Sequence, residues 1–165
     1  MTRKVALILT LLLVATGTNA LACGTSRSRA ATAGRDPILS SYERARRALI
    51  DGSVTKVQKA ANEIATAAHD AEEHAIAERS ADLANASDIA AARRVFAALS
   101  AEVIQFYETN GGDRLAIAYC DIEKKSWLQP AGRIGNPYVE RDRRRCGEFV
   151  EGDAEPTDRS AAHRH

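Results

Sequence analysis

Methionine is nearly missing from this 165-residue chain, its single Met being the initiator. No thioether is left to ligate a soft ion. Tryptophan also occurs once, at Trp127, and cysteine three times, at Cys23, Cys120 and Cys146. The cysteines show no Cys-x-x-Cys spacing and no thioredoxin-like βαβ context, which weighs against a redox-active pair. No Gly-rich phosphate loop, nucleophile elbow or His-Glu-x-x-His motif is present, so the chain reads as non-enzymatic. No concentrated basic face marks it as a nucleic-acid binder. The run Arg141-Asp142-Arg143-Arg144-Arg145 is short, and a solvated loop is the reading it favours.

What is present begins with an export signal. Arg3 and Lys4 form a basic n-region, and Val5 to Val14 is an apolar run too short to span a bilayer. Ala20-Leu21-Ala22 before Cys23 fits ordinary signal-peptidase cleavage. It also fits a relaxed lipobox in which Cys23 becomes the acylated first residue, with Ala20 where a preferred lipobox has Leu. A lone Cys just after the cleavage point, followed by the tether-like Gly24-Thr25-Ser26-Arg27-Ser28-Arg29, favours the lipoprotein reading. Several acyl chains on one residue would hold the protein to the envelope membrane; a soluble secreted protein is the alternative. Residues 1–22 are thus expected to be a signal peptide and 23–35 a flexible linker. Residues 36–151 would form a single helical domain and 152–165 a disordered tail without apolar anchors. Removing residues 1–22 leaves 21 basic against 22 acidic residues, a net charge of −1.

The residues from Asp36 to Asn110 predict three helices. Asp36-Pro37 places a capping side chain before a proline at the first helical position. Ile38, Tyr42, Ala45 and Leu49 follow at helical spacing, and Gly52 supplies a stop. Ser53 is read as the cap of a second helix bearing Val54, Val57, Ala60, Ala61, Ile64 and Ala68. Asn85-Ala86-Ser87-Asp88 then caps a third, in which Ile89, Ala92, Phe96, Leu99 and Val103 recur three and four apart. The short connections predict a mainly α, antiparallel helical bundle with Ile38, Leu49, Ile64, Ile89, Phe96, Leu99 and Val103 in its core. Beyond Gly112, Leu115 to Tyr119 is a short strand-like run. The remainder, interrupted by Pro130, Gly132, Gly135 and Pro137, reads as a loop-rich segment rather than a strand ladder, packed over one end of the bundle. Trp127 and Tyr138 would plug that end with their rings, and Asn136-Pro137 would form a turn.

The order of residues from Asp88 onward resembles a bacterial periplasmic family, domain-of-unknown-function family 3347. The likeness runs through Asp88-Ile89, Arg94-x-Phe96-x-x-Leu99-Ser100, Tyr119-Cys120, Trp127-Leu128, Ile134-x-Asn136-Pro137-Tyr138 and Cys146-Gly147, over about 60 residues. Members of that family occur alone, or fused to the adaptor subunits of copper and heavy-metal efflux systems. The resemblance implies a helical bundle with the Trp and Asn-Pro-Tyr segment over one end. It also implies a soft-metal site for copper, with an efflux adaptor or another envelope protein as partner; zinc is the alternative ion for a site built on the cysteines. The family reads Cys-Pro-Met at its first cysteine and Met-Leu-x-Cys-Gly at its second. Here Cys120 is followed by Asp121-Ile122, and Arg143-Arg144-Arg145 occupies the stretch of the second Met.

Cys120 and Cys146 therefore leave three readings open: a structural disulfide, a thiolate pair on a soft ion, or a redox pair. An oxidising compartment favours the disulfide, which would contribute roughly 3 to 4 kcal/mol in the chain-entropy model. Arg143, Arg144 and Arg145 are expected to lower the Cys146 thiol pKa. His69 and His74 are a second candidate metal pair, placed late in the second helix beside Asp70, Glu72 and Glu73. Five positions along one helix would put them about 140° apart, poor for joint ligation. An exposed acid-rich helix end is the favoured reading, with Glu72, Glu73 and Glu78 a weak divalent-cation alternative.

Overall fold

A computed structural model describes residues 36–111 and 114–150. The expected signal peptide, Cys23, the linker and the tail lie outside the described residues. The described chain is mainly helical, with a small sheet. Its elements are α1 (Pro37–Asp51), α2 (Val54–Asp70), α3 (His74–Ala84), α4 (Ile89–Asn110), β1 (Leu115–Cys120), β2 (Lys125–Pro130) and β3 (Glu148–Phe149).

Local chemistry sets the helix ends. Asp36 Oδ1 accepts from the N–H groups of Ile38 (2.8 Å) and Leu39 (3.3 Å), with Pro37 at the first helical position. Gly52 closes α1 in the left-handed region at φ 75°, where a side chain would be strained. Asp88 caps α4 by accepting from Ala91 N–H at 2.8 Å, and that bond holds its carboxyl below the usual carboxylate range. Ser53 occupies the cap position of α2 but makes no side-chain capping bond, contrary to the role read from the sequence.

The expected second helix is in fact two. The break falls at Ala71–Glu73, where Glu72 adopts φ 61° and Glu73 N–H donates to Ala68 O at 2.8 Å. No glycine or proline announces it. The charges supply a physical reason: Asp70, Glu72 and Glu73 would oppose the negative end of a helix at its C-terminus. The same carboxylates just before His74 favour the positive end of α3.

The second correction concerns the segment expected to be loop-rich. β1 and β2 form an antiparallel ladder from Leu115↔Pro130 to Cys120↔Lys125, and β3 pairs on the other edge at Ala118↔Phe149 and Tyr119↔Glu148, giving the order β2-β1-β3. Leu115 to Ala118 and Trp127 to Gln129 are buried as consecutive runs, so no clean period-2 alternation marks the strands. The turn Asp121–Lys124 lacks an Asn-Gly or Asp-Gly signal. Lys124 instead takes φ 53° and donates its N–H to Cys120 O at 2.8 Å.

One contiguous core joins helices and sheet. Ile38, Leu49, Ile64, Phe96, Leu99 and Val103 are buried as expected, while Ile89 is half-buried at its edge. Phe96 is central. Its ring stacks on Tyr42 at 5.0 Å between centroids and meets Tyr138 at 6.0 Å, and Tyr138 takes Trp127 edge-on at 6.0 Å. Aromatic pairs in this range add to the area they bury.

Candidate functional site

The cysteine region is built from the end of β1 and the start of β3. β1 delivers Cys120 into the core, fully buried, and β3 is preceded by the half-buried Cys146. Their sulfurs lie 2.8 Å apart, longer than the roughly 2.03–2.05 Å of a covalent bridge but closer than two unbonded sulfurs ordinarily approach. The structure carries both as free thiols. In that state the hydrogen bond to Cys120 pushes the Cys146 thiol above its ordinary value, and burial and the Glu123 charge add to the rise. Arg143 acts in the opposite direction and is outweighed. Arg143 thus acts with the expected sign, but the net shift is upward because the neighbouring thiol and burial outweigh it.

Gly147 explains why a glycine follows Cys146. It sits at φ 128°, and a Cβ there would come within 2.7 Å of Trp127 Cη2 and 2.9 Å of Tyr119 O. Any side chain would separate β3 from β1 and lift the chain off the indole.

Asn136 ties the Asn-Pro-Tyr segment to the same place. Fully buried, it donates from Nδ2 to Cys146 O at 3.0 Å and accepts from Tyr138 N–H through Oδ1 at 2.8 Å. Its backbone N–H donates to Arg144 O at 2.7 Å. The expected turn at Asn136-Pro137 is thus an Asx-type turn that also holds the cysteine loop.

Behind it runs a buried polar network that the sequence reading did not single out. Gln129 Oε1 accepts from Trp127 Nε1 and from Gly135 N–H, each at 2.9 Å, and its amide nitrogen donates to Pro130 O and Arg133 O. Ser100 Oγ shares hydrogen bonds with Tyr42 OH at 2.7 Å and Tyr138 OH at 3.0 Å. Tyr138 OH also donates to Ser126 O, and Leu128 N–H to Tyr42 OH. Burial raises both tyrosine pKa values well above the ordinary phenol range, most of all by desolvation. Arg46 is buried as well, paired with Glu43 at 2.6 Å and donating to Gly135 O. The available signal was placement: Tyr42 and Ser100 are hydroxyl groups on helix stripes that are otherwise apolar, and such groups need partners.

His69 and His74 are not brought together on one helix. His69 lies near the end of α2 and His74 opens α3, both exposed. His69 has only a marginal 4.0 Å contact with Asp70. Glu72, Glu73 and Glu78 assemble no site, and no group of three or more His, Cys, Asp or Glu residues suited to a metal occurs among the described residues. A cleft of about 270 Å³ between α1 and α2 has Ala48 and Ala60 at its floor. Two of its arginines are already engaged, Arg44 by Glu63 and Arg47 by Glu43.

Compared with protein-family models, with curated proteins and with solved structures, this chain matches none. The likeness to domain-of-unknown-function family 3347 therefore rests on the quoted residues alone. No described helix is long and apolar enough to cross a membrane.

Proposed function

We propose that this chain is a non-enzymatic, exported structural or interaction module of the cell envelope, tethered through a lipid on Cys23. Its helices are read as an antiparallel bundle closed by the hairpin and the Asn-Pro-Tyr loop, and a Cys120–Cys146 disulfide clamps that closure. The observation that carries this reading is the 2.8 Å approach of the two sulfurs. Oxidation of the pair would need only a small closing movement, and an exported protein meets oxidising conditions.

The soft-metal role implied by the resemblance does not suit the residues present. Cys120 and Cys146 supply two sulfur donors, the only Met is the initiator, and no third ligand of the right type joins them among the described residues. A soft ion generally needs more donors than that to compete with oxidation. Docking on an envelope partner does not depend on the missing ligands and stays with the proposal.

The test is peptide mapping of the unreduced, exported protein, together with fatty-acid labelling of wild type and Cys23→Ser. The expected result is a Cys120–Cys146 crosslinked peptide and a label only on wild type. Free thiols at both positions, with micromolar or tighter binding of Cu(I) or Zn²⁺, would overturn the clamp and restore the metal reading. Unlabelled wild type would remove the tether.

A further inference from the structure

The approach of Cys120 to Cys146 also fixes what lies at the sheet's end. Cys120 leads directly into the turn Asp121–Lys124, and Cys146 directly follows the turn Arg141–Arg145. Because Tyr119 pairs with Glu148 in an antiparallel register, the two turns stand side by side at one end of the sheet. The first presents Ile122, 70% exposed and one of two large exposed hydrophobics among the described residues. The second presents Arg141, Arg143, Arg144 and Arg145, all exposed and with no ion-pair partner among the described residues. Asp142 lies within the arginine turn, Asp121 and Glu123 flank Ile122, and Lys124 pairs with Asp121, so the four arginines outnumber the carboxylates without an ion pair in the two turns, Glu123 and Asp142.

An exposed isoleucine alone means little. Its placement at the tip of a turn, next to four arginines on a second turn, is a different matter. The arginine turn is also ordered in advance. Arg143 N–H donates to Glu140 O, Cys146 N–H to Arg143 O, and Asn136 takes hold of both Arg144 O and Cys146 O. Fixing its backbone before binding lowers the entropy lost on docking.

We propose that this end of the sheet docks on a bilayer carrying anionic phospholipid headgroups, with Ile122 entering the interface and the arginines taking headgroup phosphates. Guanidinium groups match phosphate oxygens in bidentate geometry. Exposed turns meet a flat, multiply charged surface better than they enclose a small anion, and an apolar tip adds binding that a purely electrostatic partner would not use. The inference does not require acylation of Cys23. The mutual placement of the two turns follows from the strand register and does not need the clamp.

The test is flotation of the full chain with vesicles of phosphatidylcholine, with and without phosphatidylglycerol. Wild type, Ile122→Ser, and the triple variant Arg143→Ser, Arg144→Ser, Arg145→Ser are compared. All four positions are exposed, so circular dichroism should show unchanged folding, and any binding by the N-terminal apolar run is common to every variant. Wild type should prefer the phosphatidylglycerol vesicles and lose that preference as salt rises. The triple variant should lose on the order of a hundredfold of the preference, and Ile122→Ser about tenfold of the affinity. Equal binding to both vesicle types, or an unchanged preference in the triple variant, overturns the proposal. Displacement by soluble inorganic phosphate would assign the arginines to a free anion, and equal competition by polyglutamate would assign the surface to an acidic protein partner. If a reductant leaves the phosphatidylglycerol preference intact, the clamp is not needed and the docking surface stands. If the vesicle and arginine comparisons fail whatever the redox state, the docking surface is wrong and the clamp is untouched.

Discussion

Gly147 lies against Trp127 so closely that the chain has no room for a side chain between them: a Cβ at 147 would sit 2.7 Å from the indole Cη2. The fully buried Trp127 is held in turn by Gln129 at 2.9 Å, so the ring has little freedom to retreat. Gly147→Ala should therefore destabilise the fold by about 1 to 3 kcal/mol, from strain at φ 128° together with displacement of β3. Urea unfolding measures it. A loss under about 0.5 kcal/mol would mean that β3 pairing is not coupled to the indole.

Phe96→Ala should cost roughly 3 to 5 kcal/mol, because Phe96 is fully buried between Tyr42 and Tyr138 and joins α4 to both. A change under about 1 kcal/mol on chemical denaturation would place the wrong face of α4 in the core.

Asn136→Ala strips the partners from Tyr138 N–H and Cys146 O at once. Orphaning the buried Tyr138 N–H costs about 1 to 3 kcal/mol and the half-buried Cys146 O adds less, so the expected loss exceeds that of an exposed substitution. Hydrogen exchange provides a local readout: the amide of Tyr138 should lose protection first. Retained protection there would show that the turn is set by Pro137 and packing instead.

Stability should fall at alkaline pH. Burial raises the pKa of Tyr42, and burial with the Tyr42 charge raises that of Tyr138. Groups raised in the folded state contribute fully below the unfolded value, about 10 for tyrosine. That contribution is lost as pH climbs from there through the folded values. The denaturation midpoint should thus drop steeply above about pH 10, and more shallowly in Tyr42→Phe with Tyr138→Phe. An equally steep drop in the double variant would assign the alkaline sensitivity elsewhere.

Much of the helical half was legible because its signals are local. Asp36-Pro37, Gly52 and Asp88 mark helix ends through chemistry confined to a few neighbours. The spacing of Phe96, Leu99 and Val103 gave away the buried face of α4. The break between α2 and α3 was not legible in the same way, since it depends on carboxylates placed against helix dipoles and on Glu72 in a conformation its type rarely adopts. Leu115 to Tyr119 was legible as the strand-like run that forms β1, but β2 and the pairing of the hairpin escaped notice for another reason. A strand covered on both sides loses its alternation, and its turn uses Lys124 rather than glycine.

By itself, the sequence determined that the chain is rich in helix, that it has no thioether beyond the initiator Met, and that two cysteines flank its only tryptophan, because these follow from residue types and short spacings. Tertiary structure alone decided that Cys120 and Cys146 meet, that His69 and His74 do not share a helix, and that the Ile122 and arginine turns stand together. Those relations depend on strand register and on where α2 ends. The pairing of β3 on β1 comes from contacts between segments far apart in the chain, formed only when the core closes around Phe96 and Trp127, while the end of α2 turns on nearby carboxylates and on Glu72 in a conformation that only the folded helix pair holds.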